Sequence, residues 1–284
     1  MDEIIEGLAE SIGGFYSDFF SGLQEVVDIA GATPQEFNST IWNAVSVHSP
    51  VGQAVVVVAS TITALFILME LISLYNRSDV KGLDAVQMIF GVCFKAGIAI
   101  LLCKNMTVII GACFEITEGI INSIGSSMDI RNFDIDISGA VVNALKDEGS
   151  FWILLKQYLI GFLGWLVNNI ALVLVKAISA LRFIEIYVFT AVAPLAFATF
   201  CSTEHKTIGV KFIKRMIALG LQGLFLIIIC YIYTQLIVAA FPPSMDISQS
   251  EITGKMFELM GYSILVIIAA FQSGGWSKAL VDVN

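Results

Sequence analysis

The sequence predicts an all-α protein: a polytopic transmembrane helical bundle of about five to six spans, with an amphipathic helix at its N-terminus. Three observations predict it. Of 284 residues, 57% are hydrophobic and 14% charged, whereas an ordinary soluble domain has about 45–50% apolar and about 25% charged residues. Several apolar runs reach the roughly 20 residues that a helix needs to cross the hydrocarbon of a bilayer. Basic residues gather at the ends of such runs, which is the pattern of the cytoplasmic side of membrane proteins.

Residues 1–48 form the first segment. Ile4, Ile5, Leu8, Ile12, Phe15, Phe19, Leu23 and Val26 recur at helical spacing on one face, and Glu3, Glu6, Glu10, Asp18 and Glu25 occupy the other. The first fifty residues hold eight Asp or Glu and no Lys or Arg. A helix that lies on anionic lipid usually has a basic polar face. An acidic one is expected to dock on protein: a sister subunit, a partner, or its own bundle. No basic n-region opens the chain, so this segment is not expected to be a cleaved signal. Thr33-Pro34-Gln35-Glu36 reads as a capping box with proline at the first helical position, opening a short helix through Trp42.

Residues 49–125 hold the first two membrane helices. Ser49-Pro50 caps a span over about residues 51–74 that is uncharged until Glu70. Arg77 and Lys81 follow and read as cytoplasmic, which places the N-terminal segment outside. Residues 84–125 form one helical pattern roughly 60 Å long at about 1.5 Å per residue, twice the hydrocarbon thickness. It either projects beyond the membrane or breaks near Lys104-Asn105. Lys95 and Glu115 are candidate lumen- or partner-facing residues on it, because charge deep in a span usually faces a bundle interior or water. The alternative for Lys95 is snorkelling toward headgroups. Residues 126–150 are a polar loop, expected outside the cytoplasm.

Residues 151–284 hold the C-terminal membrane helices. The run 151–181 is interrupted by Lys156, Gln157 and the pair Asn168-Asn169. The positive charges balance best if residues 151–201 make one net crossing, which puts a re-entrant or broken element at Asn168-Asn169. Two full spans fit only if the long second helix is itself two spans. Arg182 and Glu185 share a helix face at i, i+3, as a structural pair or as groups facing a passage or partner. Pro194 removes a backbone donor in mid-crossing, so the freed carbonyl must face protein or water. A basic loop over 202–215, with Lys206, Lys211, Lys214 and Arg215, reads as cytoplasmic. Spans over 216–241 and 256–274 follow, and the C-terminus is expected in the cytoplasm.

Ala191, Ala193, Pro194, Leu195 and Ala196 near a helix end, the basic loop, and a second long helix from Met216 together resemble the TrbL family. These are polytopic inner-membrane subunits of type IV secretion and conjugation systems, equivalent to the sixth VirB component. Members often carry a tryptophan in the loop after the proline motif; this chain has Phe212. The resemblance implies a non-catalytic channel or scaffold subunit of a bacterial cytoplasmic membrane, present in several copies beneath an extracytoplasmic stalk protein. A separate ATPase would supply energy, and transferred DNA would be touched at most transiently. Membrane lipid is the remaining expected partner.

The chain has no G-x-x-x-x-G-K-[ST], no H-E-x-x-H and no G-x-S-x-G. Its histidines are His48 and His205, and its five cysteines have no metal-site spacing. No enzyme activity and no cofactor are expected. The net charge of -9 argues against a DNA-gripping basic surface. The alternative function is a secondary transporter or small-solute channel subunit. That reading predicts paired broken helices in inverted repeats, and Asn168-Asn169 is the one candidate break.

Overall fold

A computed structural model of the chain describes residues 7, 11, 14, 22–76, 83–128, 151–240 and 249–282. These residues are helical almost throughout, and no strand occurs among them. Helix α1 covers residues 22–31. Then come α2 (Pro34–Phe37), α3 (Ser39–Val45), α4 (Pro50–Tyr75), α5 (Leu83–Lys104) and α6 (Met106–Met128). Helix α7 (Phe151–Ala198) leads through a 3-10 turn, Thr199–Cys201, to α8 (Lys206–Ala240) and α9 (Gln249–Leu280). Six of these helices, α4 to α9, are long and apolar enough to cross a membrane. Arg77, Lys81, residues 129–150 and residues 241–248 lie outside the described residues.

The predicted caps form. The Thr33 hydroxyl accepts the Glu36 N–H at 3.2 Å, and the Thr33 N–H donates to the Glu36 carboxylate at 3.0 Å. Two of the donors that a helix start leaves open are thereby satisfied. The Ser49 hydroxyl accepts the Gly52 N–H at 2.9 Å. At Gly52 a Cβ would stand 2.1 Å from the Ser46 carbonyl oxygen, so this turn closes only on glycine.

The long second helix bends at Asn105. The Asn105 N–H closes α5 on Leu101 O at 3.1 Å, and the Asn105 carbonyl accepts the first bond of α6, from Ile109 N–H, at 3.0 Å. One residue is fewer than the two to five that join antiparallel helices. The contacts also show α6 continuing in the direction of α5. Cys103 Sγ lies 3.3 Å from Pro194 O, whereas Thr117 Oγ1 lies 2.9 Å from where a Cβ on Gly220 would sit, farther along α8 from the 202–205 turn.

Helix α7 overturns the break expected at Asn168-Asn169. It runs 48 residues without interruption, about 72 Å at ~1.5 Å per residue. Each amide finds a hydrogen-bond partner without disturbing the backbone. Asn169 Nδ2 donates to the Trp165 carbonyl one turn earlier at 2.9 Å, and Asn168 Oδ1 accepts from the Ser263 hydroxyl. The expected break or re-entrant turn at Asn168-Asn169 is therefore absent, and residues 151–198 form one helix. Pro194 sits inside this helix without ending it.

The chain divides into two compact units, one of Met1–Gly31, Gly119–Leu181 and Gln222–Gly275, the other of Ala32–Glu118, Arg182–Leu221 and Trp276–Asn284. In the first, Leu23, Val26 and Ala30 of α1 are buried in one core with Leu172 and Val175 of α7 and Leu226 of α8. Glu25, on the acidic face of α1, pairs with Lys176. The described end of the N-terminal helix thus docks on its own bundle, one of the expected alternatives. In the second unit, α4 is a peripheral helix. Only 11% of the most apolar stretch of Ser39–Tyr75 is buried, against 50% for α8. Val57, Val58, Leu65 and Leu68 of α4 are exposed. In water each would forgo about 1.5–3 kcal/mol of burial; in a bilayer lipid covers them.

Candidate functional site

The residues singled out from the sequence fall mostly in the second unit, around the turn that joins α7 to α8. The expected loop over 202–215 is a correction: only 202–205 are loop, and Lys206, Lys211, Lys214 and Arg215 stand on the first three turns of α8. No proline interrupts 206–215, and Lys and Arg are good helix formers. Ser202 closes the turn. Its carbonyl accepts the Lys206 N–H at 3.1 Å, and its hydroxyl accepts the His205 N–H at 3.3 Å. Gly209 then lets α8 return close to the 3-10 turn. A Cβ there would lie 2.8 Å from the Phe200 ring and 3.0 Å from Ala196 O. Thr199 Oγ1 accepts the Gly209 N–H at 3.0 Å, which locks the return.

Four cations at a helix N-terminus oppose its dipole. Arg215 reaches Glu185 at 3.8 Å and Lys214 reaches Asp282 at 3.9 Å. Ion pairs this exposed contribute about 0–1 kcal/mol, so they do not account for the cluster. The Glu185 carboxylate is therefore joined to Arg215 of the basic stretch. Arg182 is buried, 3% exposed, with its guanidinium carbon 4.5 Å from the centre of the Phe183 ring. Pro194 is buried and its carbonyl accepts the Cys103 thiol. Phe212, at the family's frequent tryptophan position, packs edge-on against Phe197 and Phe189 with centroids 5.7 and 6.3 Å away.

Glu115 is exposed on α6 and joins none of these groups. Asn168 and Asn169 belong to the first unit. There Ser263 links Asn168 to the Tyr233 hydroxyl, 3.0 Å from the Ser263 oxygen, and all three residues are buried.

Lys95 lies half-buried in the wall of a cavity of about 520 Å³ where α4 and α5 meet the 202–205 turn. Glu70, Ser73, Ser202, Thr203 and Glu204 complete its polar lining. Glu70 accepts the Thr203 N–H at 2.6 Å and also binds the Thr203 hydroxyl. Sequence reasoning missed Glu70 as a site residue. The available signal was that it is the only charge in the 26 residues of α4. Among the described residues no His, Cys, Asp and Glu cluster could hold a metal ion.

The family model for TrbL/VirB6 plasmid conjugal transfer like proteins matches residues 21–194, more than half of the chain. The chain belongs to the TrbL/VirB6 family. No curated protein and no solved structure matches it. The matched stretch ends on Pro194 itself, so Leu195, Ala196, the basic stretch and the helix beyond Met216 lie past it. Membership makes this TrbL/VirB6 chain a conjugal transfer component, in a family of structural components rather than enzymes. Together with the six helices able to cross a bilayer, it makes the protein a multi-pass membrane protein.

Proposed function

We propose that the chain is a non-catalytic channel or scaffold subunit of a type IV secretion machine for conjugative DNA transfer. It would work as several copies with other transfer subunits, including a separate cytoplasmic ATPase and an extracytoplasmic stalk protein, and would touch the transferred DNA only transiently. The continuity of α7 is the observation that carries this reading over a solute transporter. A transporter of the inverted-repeat type needs paired broken helices at its binding site; Asn168-Asn169 lies in an intact helix, so the interruption at Asn105 has no counterpart there.

In the bacterial cytoplasmic membrane we place the N-terminal segment outside, and the 202–205 turn, the basic start of α8 and the C-terminus in the cytoplasm. The hydrogen bonds from Thr203 to Glu70 support this arrangement, because they bring the exit of α4 to the same end as that turn. Arg77 and Lys81, which follow α4, then share a side with Lys206, Lys211, Lys214 and Arg215, as the positive-inside rule requires. With α5 and α6 running on in one direction, the count is five crossings.

The test is deletion of the gene from a strain that transfers DNA, with complementation from a second locus. Transfer is expected to fall to background and to return with the complementing copy. Normal transfer from the deletion strain would remove the proposal.

A further inference from the structure

We propose that the cavity between the last turns of α4 and residues 88–95 of α5 binds the headgroup of a zwitterionic phospholipid carrying a primary amine, with its phosphate on Lys95 and its ammonium on Glu204. The inference goes beyond the transfer role and rests on α4 and α5 being membrane helices.

Chemistry selects the ligand. At about 520 Å³ the cavity falls within the roughly 300–1,000 Å³ of small-molecule sites. Among the described residues it presents the Lys95 ammonium and the Glu204 carboxylate, with the Glu70 carboxylate held by Thr203 and the hydroxyls of Ser73 and Ser202 beside them. A simple anion would meet Lys95 but also Glu204, and a simple cation would meet the reverse. A dipolar ion satisfies both signs. Lys95 is half-buried and makes no ion pair among the described residues, which leaves its ammonium to pair with a ligand phosphate. A primary ammonium can donate hydrogen bonds to carboxylates, whereas a quaternary one has no hydrogen to give.

Position selects lipid over a soluble phosphate. The cavity lies between residues 69–74, the last turns of α4, which ends at Tyr75, and residues 88–95 of α5; the end of a span is the level at which it meets headgroups. Beside it Leu71 and Ile72 of α4 and Ile89, Phe90 and Phe94 of α5 are exposed. They form an apolar flank on which acyl chains can lie while the headgroup enters the cavity.

The test uses the purified full chain in nanodiscs of equal ethanolamine, glycerol and choline phospholipids. Native mass spectrometry after partial delipidation counts the retained lipid by headgroup. The wild type is expected to retain the ethanolamine lipid about tenfold over the other two, the factor that about 1.4 kcal/mol gives. Lys95→Met and Glu204→Gln are each expected to remove the preference. Gly91→Leu gives a reading that does not depend on charge. Gly91 lines the cavity, and a Cβ on it meets nothing within 4 Å, so leucine fits without moving the backbone and narrows the cavity. Its retention is expected to fall, with an unchanged circular dichroism spectrum. Equal retention of the three lipids, or full retention in Gly91→Leu, would overturn the proposal. So would displacement of the lipid by soluble phosphoethanolamine, since the acyl flank would then contribute nothing.

Discussion

Asn168 carries a polar amide into the middle of an apolar helix, and a buried hydroxyl answers its oxygen. Ser263 donates to its oxygen and the Tyr233 hydroxyl lies against Ser263, all three side chains being buried. Between membrane helices the hydrophobic effect supplies little, so packing and such polar contacts hold the bundle. Replacing Asn168 by leucine removes its contact with the Ser263 hydroxyl, which keeps the Leu259 carbonyl as an acceptor, and is expected to cost about 0.5–1.5 kcal/mol. The check is the thermal midpoint in detergent, which should drop by several degrees. Asn169→Leu is the control. Its amide bonds only within its own helix, and its substitution should stay within about 0.5 kcal/mol of the wild type. The sequence marked this pair as unusual, yet it could not reveal why. The partner that makes Asn168 compatible with a continuous helix lies 95 residues later, and no local pattern encodes that contact.

At the scale of elements, the helix starts were the most legible features. Thr33 and Ser49 cap as their side chains predict, because capping depends on residues three positions apart. The turn before α4 depends on Gly52 as well. Gly52→Ala places a methyl group 2.1 Å from a backbone oxygen and is expected to destabilise by about 1–3 kcal/mol. Gly97→Ala, in open space on α5, should be neutral or stabilising by up to about 1 kcal/mol. Comparative unfolding of the two variants reads the difference. The start of α8 was less legible, since a run of lysines marks a membrane side without saying whether the chain there is coiled or helical. Phe212, read as a departure from the family pattern, fills an aromatic cluster with Phe189 and Phe197. Phe212→Ala should lower the thermal midpoint by an amount equivalent to about 2–4 kcal/mol. Phe212→Trp should keep most of the stability, because the larger ring retains the edge-on contacts.

At the scale of the molecule, the all-helical membrane class was legible from composition and run length alone, because crossing hydrocarbon constrains every backbone group at once. Span count was not legible around 84–125 and 151–201. It turns on whether a helix bends or reverses, and Asn105 and Asn168 look alike in sequence although only Asn105 interrupts a helix. The cavity holding Lys95 was also hidden, since its lining comes from three stretches far apart in the chain.

In the proposed topology, five crossings, one of them shared by α5 and α6, leave the basic start of α8 in the cytoplasm. Labelling single-cysteine variants Lys206→Cys and Asp246→Cys, in a chain whose five native cysteines are replaced by alanine, tests this topology directly. With a membrane-impermeant maleimide, Asp246→Cys is expected to label in spheroplasts, and Lys206→Cys only in inverted vesicles. Labelling of Lys206→Cys in intact spheroplasts would contradict the account.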